Sequence, residues 1–455
     1  MTGKKVSVLV ISLLCACLLL GGCGKIQEAA EAVTGPKPVE FAAGKFDVET
    51  TTELNIQLQP GETQLLAGLP LLKSADFSGS ECVEEIYNWA QSNPQVEVKY
   101  TVTMPDGTVL DNSAKELDFS SKSGSDIRAA AEVLPYLPEI ERVALGAERP
   151  ELSWEDIGLV QQLLPDAKLS YSFELYGQQI DINNTQINLS HVPVEDGGAA
   201  INQAMSYMPA LAYVDMDSCG VSNEEMAAIR DAHPNVKVVW RIWFGDNYSV
   251  RTDVERILAS MPSRGGMLNG ENTDALMYCT DVKYLDVGHN DDLWDIDFVA
   301  YMPKLEVAIL AMCNWSDASP LANCKNLEYL GMQTTLCTDL SPLAELENLR
   351  HLNIAYNYDL CDISPLYGLK DLERLWIGCI NPVPSEQVAQ MQAAAPNCEI
   401  NTEVYIDPTG GRWRYVDYNE LAYMYIYHDR YILLREQFSD YASDAFSFYW
   451  NDPLL

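Results

Sequence analysis

Between residues 282 and 380 one phrase is written five times: VKYLDVGHN from Val282, LEVAILAMC from Leu305, LEYLGMQTT from Leu327, LRHLNIAYN from Leu349 and LERLWIGCI from Leu372. The starts lie 23, 22, 22 and 23 residues apart. A short period with apolar residues in fixed slots marks a solenoid, in which each coil is one unit and stacked coils share a core. Inside each phrase apolar residues alternate, as they do in a strand with one buried face. Leu285/Val287, Leu330/Met332, Leu352/Ile354 and Leu375/Ile377 are the paired inward residues. Asn290, Cys313 and Asn357 fall at the bend that follows, where a polar or thiol side chain can take up backbone groups freed from the ladder.

Between the strands a second motif recurs: Asp317-Ala318-Ser319-Pro320-Leu321, Asp339-Leu340-Ser341-Pro342-Leu343 and Asp362-Ile363-Ser364-Pro365-Leu366. An acid or hydroxyl before a proline opens a helical turn, because it caps free N–H groups where proline has none to waste. Over residues 276 to 380 the pattern resembles the leucine-rich repeat family, in particular the 22-residue bacterial type with D-I-S-P-L found in internalin-like surface proteins. The resemblance implies an α/β fold: a right-handed solenoid with a parallel sheet on its concave face and short helices on its convex face.

Upstream the same strand returns in disguise. Alignment on Pro70, Pro138, Pro209 and Pro303 puts Ala75/Phe77, Val143/Leu145, Val214/Met216 and Ala308/Leu310 in the inward slots. Pro94, Pro165, Pro234 and Pro396 each end a helical pattern (ECVEEIYNWAQSN, SWEDIGLVQQLL, SNEEMAAIRDAH, SEQVAQMQAAA) and introduce a strand near Val96, Ala167, Val236 and Cys398. Strand starts at Leu72, Ile140, Leu211 and Val282 are 68, 71 and 71 apart, about three coils each, which predicts a superrepeat of roughly 70 residues. Within it the middle strand turns back on itself at Pro105-Asp106-Gly107, Tyr176-Gly177 and Gly245-Asp246-Asn247, where Gly and Asp suit the turn. A third strand follows at Leu117-Asp118-Phe119 and Ile187-Asn188-Leu189, and the third superrepeat is expected to depart from this over Arg251 to Arg264.

The ends read differently. Lys4 and Lys5 precede an apolar run, Val6 to Leu20, too short to favour a spanning helix. It closes in Leu20-Gly21-Gly22-Cys23, which resembles the lipobox of bacterial lipoproteins and implies acylation of Cys23. The alternatives are an uncleaved anchor or a plain secretory peptide. Each places the body outside the cytoplasm, and the lipid reading places it on the extracytoplasmic face of a bacterial cell membrane. The expected organisation is a signal peptide over 1–22, a lipidated Cys23 with a helix and spacer over 23–46, divergent superrepeats over 47–270, leucine-rich repeats over 271–401 and a C-terminal aromatic cap over 402–455. In that cap Leu421, Tyr425, His428 and Ile432 fall near helical spacing. Its aromatics suit either a lid over the last coil's core or a ligand platform.

With 47% apolar residues the chain can bury a large core. A formal net charge of −37 argues against nucleic acid and against anionic membrane surfaces as partners. Because strand side chains alternate, the slots beside the inward leucines line the expected concave face. The candidate binding residues there are Tyr213, Asp215, Tyr284, Asp286, Tyr329, His351, Asn353, Arg374 and Trp376, with Tyr329, His351 and Trp376 foremost. Tyr, Trp, His, Asp and Arg on a long concave surface suit contact with a protein partner or a glycan. The alternative is an ordinary solvated face.

Catalytic motifs are missing. The five histidines stand in no H-E-x-x-H and beside no G-x-S-x-G, so no enzyme, cofactor or metal is implied. Asp215-Met216-Asp217-Ser218-Cys219-Gly220 fails as a calcium loop at Cys219 and Met226. The run Asp291, Asp292, Asp295, Asp297 reads as a solvated loop before a weak cation site, and Arg264-Gly265-Gly266 lacks the rest of a phosphate loop. Most thiols take core or bend slots; Cys337 and Cys361 lie on adjacent coils, but no C-x-x-C supports a disulfide framework or a zinc site.

Overall fold

A computed structural model describes residues 37–260, 267–378 and 383–402, together with the backbone of strands Tyr415–Asn419 and Met424–Tyr427. The expectations for the signal peptide, Cys23, Arg264-Gly265-Gly266 and most of the 402–455 cap lie outside the described residues. The chain divides into two units, 1–173 and 174–455.

In the first unit Glu53–Asn55, Ser74–Asp76 and Glu97–Lys99 pair in parallel. So do Glu116–Asp118, Arg142–Ala147 and the part of Lys168–Leu175 up to Ser172. The inward slots are filled as the alignment predicts: Phe77, Val143 and Leu145 are fully buried and Ala75 nearly so. Helices Val83–Ser92 and Trp154–Leu163 stand where the proline anchors place them, and Gly124–Ala130 adds a third. Ser123 and Ser153 each start a helix through a reciprocal box with Asp126 and Asp156, which satisfies N–H groups that helix geometry leaves open. The hairpin Thr101–Thr103/Val109–Asp111 closes over Pro105-Asp106-Gly107, with Gly107 at φ 86°. Residues 38–46, whose composition suggests a spacer, instead hold the antiparallel pair Val39–Phe41/Gly44–Phe46, fastened by the edge-on rings of Phe41 and Phe46 at 5.8 Å.

The second unit opens with the parallel strands Gln186–Asn188, Tyr213–Asp215 and Lys237–Val239, followed by the hairpin Arg241–Phe244/Tyr248–Arg251. A seven-stranded parallel sheet then runs Arg256–Leu258, Tyr284–Asp286, Val307–Ile309, Tyr329–Gly331, His351–Asn353, Arg374–Trp376 and Glu399–Asn401, in chain order. Its first strand corrects the expectation that the third superrepeat departs over Arg251 to Arg264. Ile257 and Ala259 fill the two inward slots at 1% and 0% exposure.

The crossovers between the five phrases are single 3₁₀ turns, among them Ser319–Asn323, Ser341–Leu343 and Ser364–Gly368. Their acids cap the first N–H of each turn, as expected, but from one residue further upstream than an N-cap position. The residues flanking the turns are Ala318, Leu340 and Ile363, which bring no capping side chain. Asp317, Asp339 and Asp362 each accept the N–H of the serine two residues on, at 2.8, 2.8 and 2.9 Å, and so bend the chain into the turn.

After each of the first four strands of the phrase one residue takes the left-handed conformation: His289, Met312, Thr334 and Tyr356, at φ 55° to 63°. Each donates its N–H to a carbonyl of the next coil, Ala311, Gln333, Ala355 and Gly378. The residue after it is the predicted bend slot. Asn290 Nδ2 donates to the carbonyls of Val287 at 2.8 Å and Ala259 at 3.1 Å, while its Oδ1 accepts from Leu268. Asn357 repeats this with Met332 and Thr335, and the Cys313 thiol donates to the Val287 carbonyl. Coil period, in-register parallel strands and bend slots together make this a leucine-rich repeat architecture. Beyond it, Tyr415–Asn419 and Met424–Tyr427 pair antiparallel, which corrects the helical spacing around Tyr425: Tyr423, Tyr425 and Tyr427 also alternate with period two, and the strand won.

Candidate functional site

The in-register pairing lines the non-core slots of the seven-stranded sheet into two rows. One reads Arg256, Tyr284, Val307, Tyr329, His351, Arg374, Glu399; the other reads Leu258, Asp286, Ile309, Gly331, Asn353, Trp376, Asn401. Neighbouring strands stand about 4.8 Å apart, so side chains in a row touch. Between the rows run Leu285, Ala308, Leu330, Leu352 and Leu375, pointing the other way and at most 1% exposed. Seven of the nine candidate residues therefore share one face, and Tyr329, His351 and Trp376 fall on successive strands as their spacing requires.

That face is not wet. Tyr284, Asp286, Tyr329, His351, Asn353, Arg374 and Trp376 are only 2% to 6% exposed. Alternation decides which side of the sheet a residue takes, and says nothing of whether another layer lies over it. Some of their polar atoms are held within the sheet. Asp286 Oδ1 accepts the Gly288 N–H at 2.9 Å and Asn353 Oδ1 the Ala355 N–H at 3.1 Å. Arg374 Nε donates to Glu399 Oε2 at 3.1 Å, and His351 Nε2 lies 3.5 Å from Glu373 Oε2. The rings of Tyr329 and His351 lie 5.8 Å apart at 32°.

Tyr213 and Asp215 stand on the preceding three-stranded sheet, in an ionic cluster that the hairpin closes. Arg251 Nη1 donates to Asp215 Oδ2 at 2.8 Å and Nη2 to the Tyr213 hydroxyl at 2.7 Å, while its Nε bonds Asp253 Oδ1 at 3.0 Å. Arg241 grips both oxygens of Asp217, at 2.9 and 2.7 Å. The Arg241 pair holds the Asp217 carboxyl below its ordinary range against the opposing effect of burial. The Asp253 and Asp215 carboxylates push the Arg251 guanidinium up. Neither arginine stands out in the sequence reading. The available signal was the hairpin itself, which sets Arg241 opposite Arg251 and so demands acids nearby to offset two like charges.

A cavity of about 260 Å³ opens beside this cluster, between Trp240, Tyr278, Lys237, Asp281 and Lys304. Asp281 already bridges Lys237 at 2.8 Å and Lys304 at 2.5 Å, so its charges are spent internally. Cys337 and Cys361 are not bridged; the eight described cysteines are free thiols, all buried except Cys361. Among the described residues no group of three or more His, Cys, Asp or Glu is placed to hold a metal ion.

No family model matches the chain, and no curated protein does. Among solved structures it is similar to an internalin, InlF, from Listeria monocytogenes, at 16% identity over 79% of this chain and 84% of that one, with a TM-score of 0.30. It is also similar to a leucine-rich repeat protein of Leptospira interrogans, at 13% identity over 82% and 98% of the two chains and a TM-score of 0.31. The functional domain of InlJ from Listeria monocytogenes follows, at 10% identity over 78% and 63% and a TM-score of 0.27. The architecture stands on the strand register and coil period of this chain.

Proposed function

We propose that this is a lipid-anchored, extracytoplasmic recognition protein that binds a protein partner without turnover, through the sheet face between Tyr284 and Trp376. The observation that carries the reading is the pair of in-register rows, which set Tyr329, His351, Arg374 and Trp376 beside Asp286 and Asn353 on one rigid sheet. Aromatic and arginine anchors on a preorganised surface are what protein interfaces use for most of their affinity. Cys23, acylated, supplies the membrane anchor. Glycan binding is the second reading, favoured by the Tyr329 and Trp376 rings, which can stack on sugars.

The test is a photo-crosslinking amino acid at Ile309, the half-buried position of the same face, in the full chain expressed in its own cells. An adduct with a second protein supports the reading, and wall polysaccharide alone in the adduct transfers it to the glycan class. No intermolecular adduct sinks both. In the same cells the chain is expected in the membrane fraction and Cys23→Ser in the soluble one; equal partitioning removes the anchor.

A further inference from the structure

We propose that the edge of the coils where the strands end, carrying Trp294, Leu336 and Tyr358, is a docking surface for a basic, amphipathic polypeptide segment of another protein. It is a different surface from the Tyr284–Trp376 face and does not depend on what that face binds.

The strands of the seven-stranded sheet are all parallel, so they end along one edge, where each coil bends from strand into 3₁₀ turn. Four coils cross that edge with residues 290–297, 313–319, 335–341 and 357–364. Together these stretches hold eight aspartates and no lysine, arginine or histidine. The basic residues of the same coils, Lys283, Lys304, Lys325, Arg350, Lys370 and Arg374, all stand at or before the start of a strand, on the other edge. All of these but Lys370 already have acidic partners there: Glu255, Asp281, Glu345, Asp371 and Glu399. The aspartates feel one another instead. Burial and the charges of Asp297 and Asp274 push the Asp295 carboxyl up. Hydrogen bonds from Ser319 and Ser364 hold Asp317 and Asp362 low, although Asp339 repels both. A cation set among them relieves that repulsion.

Acids alone would make an ordinary solvated edge. What these acids frame is apolar. Leu336 is 58%, Tyr358 63% and Trp294 51% exposed. Leu336 and Tyr358 take the slot directly after the bend residue on adjacent coils, about 4.8 Å apart. Asp291 and Asn314 take it on the two coils before, and the slot is exposed in all four. The fold therefore gains nothing from a leucine or tyrosine there, and each leaves apolar surface in water. An apolar row framed by one sign of charge selects its partner: apolar side chains to cover Leu336 and Tyr358, with lysines or arginines around them. A second copy of this chain does not qualify, since two molecules of net charge −37 repel each other.

Fluorescence anisotropy with the full-length protein tests this at about 0.15 M NaCl, where long-range attraction to the acidic surface is screened. The probes are a short Lys/Leu peptide, a Lys/Ser peptide of equal charge and a Glu/Leu peptide. The protein is expected to bind the Lys/Leu peptide about tenfold more tightly than either of the others. Leu336→Ser/Tyr358→Ser is expected to weaken that binding about tenfold, and Asp339→Asn/Asp359→Asn about fivefold with a shallower salt dependence, both with unaltered circular dichroism. Leu71→Ser/Val109→Ser, which removes two exposed apolar residues of the first unit, is expected to leave it unchanged. No binding of the Lys/Leu peptide, equal affinity for the Lys/Ser peptide, or full affinity in the Leu336→Ser/Tyr358→Ser variant overturns the inference. An equal loss in the Leu71→Ser/Val109→Ser variant does so too.

Discussion

Asp217 is 5% exposed, yet it stays charged because Arg241 takes both its oxygens and Arg251 stands 3.9 Å away. Both guanidiniums keep a wet side, at 29% and 28% side-chain exposure, which lowers the cost of burying the carboxylate. Asp217→Asn is expected to cost about 2 kcal/mol at neutral pH by urea unfolding, below the 3–5 kcal/mol of a fully buried pair. The pH dependence has a definite sign. A carboxyl whose folded-state pKa is lowered gives its full stabilisation above the ordinary range, near pH 4, and loses it as pH falls through the lowered value. The gap between parent and Asp217→Asn should therefore narrow below about pH 4; a gap that is constant with pH would show that the arginines do not hold the charge. The buried thiols follow a different logic. Desolvation pushes Cys279, Cys313, Cys324 and Cys398 up to about 12, so they are neutral core residues at physiological pH.

At the scale of the coil, stability concentrates at the bend. Asn357 is 1% exposed and serves two backbone groups, the Met332 carbonyl and the Thr335 N–H. Asn357→Ala leaves both without that partner in a dry site and is expected to cost about 3 kcal/mol by urea unfolding. Asn348→Ala removes an exposed bond to the Lys325 carbonyl and should cost under about 1 kcal/mol. Equal costs would refute the view that burial of the bend gives the ladder its weight. The bend slot was legible because Asn and Cys recur there. The left-handed slot beside it was not. His289, Met312, Thr334 and Tyr356 share no side-chain chemistry, and only the hydrogen bond of each N–H to the next coil shows why the backbone takes that turn. The strand Arg256–Leu258 escaped because no proline anchor or repeat motif precedes it to set its register.

Across the whole molecule the acidic excess is the dominant long-range force. A net charge of −37 repels itself over tens of ångströms at low salt, while the close, half-buried pairs of Arg241 and Arg251 are screened less. The thermal midpoint should rise by several degrees between about 0.01 M and 0.15 M NaCl, where the Debye length shrinks from about 30 to 8 Å. A midpoint that falls would mean that the surface ion pairs outweigh the repulsion. By itself the sequence determined the coil, its period, the inward leucines and which side of the sheet Tyr329, His351 and Trp376 occupy. These are local properties: alternation and spacing follow from strand geometry repeated along the chain. Tertiary structure alone decided that Arg251 ties Tyr213 to Asp215, and that the Tyr284–Trp376 rows are dry. Both depend on residues brought together across turns and layers, where no periodic signal links a side chain to what covers it.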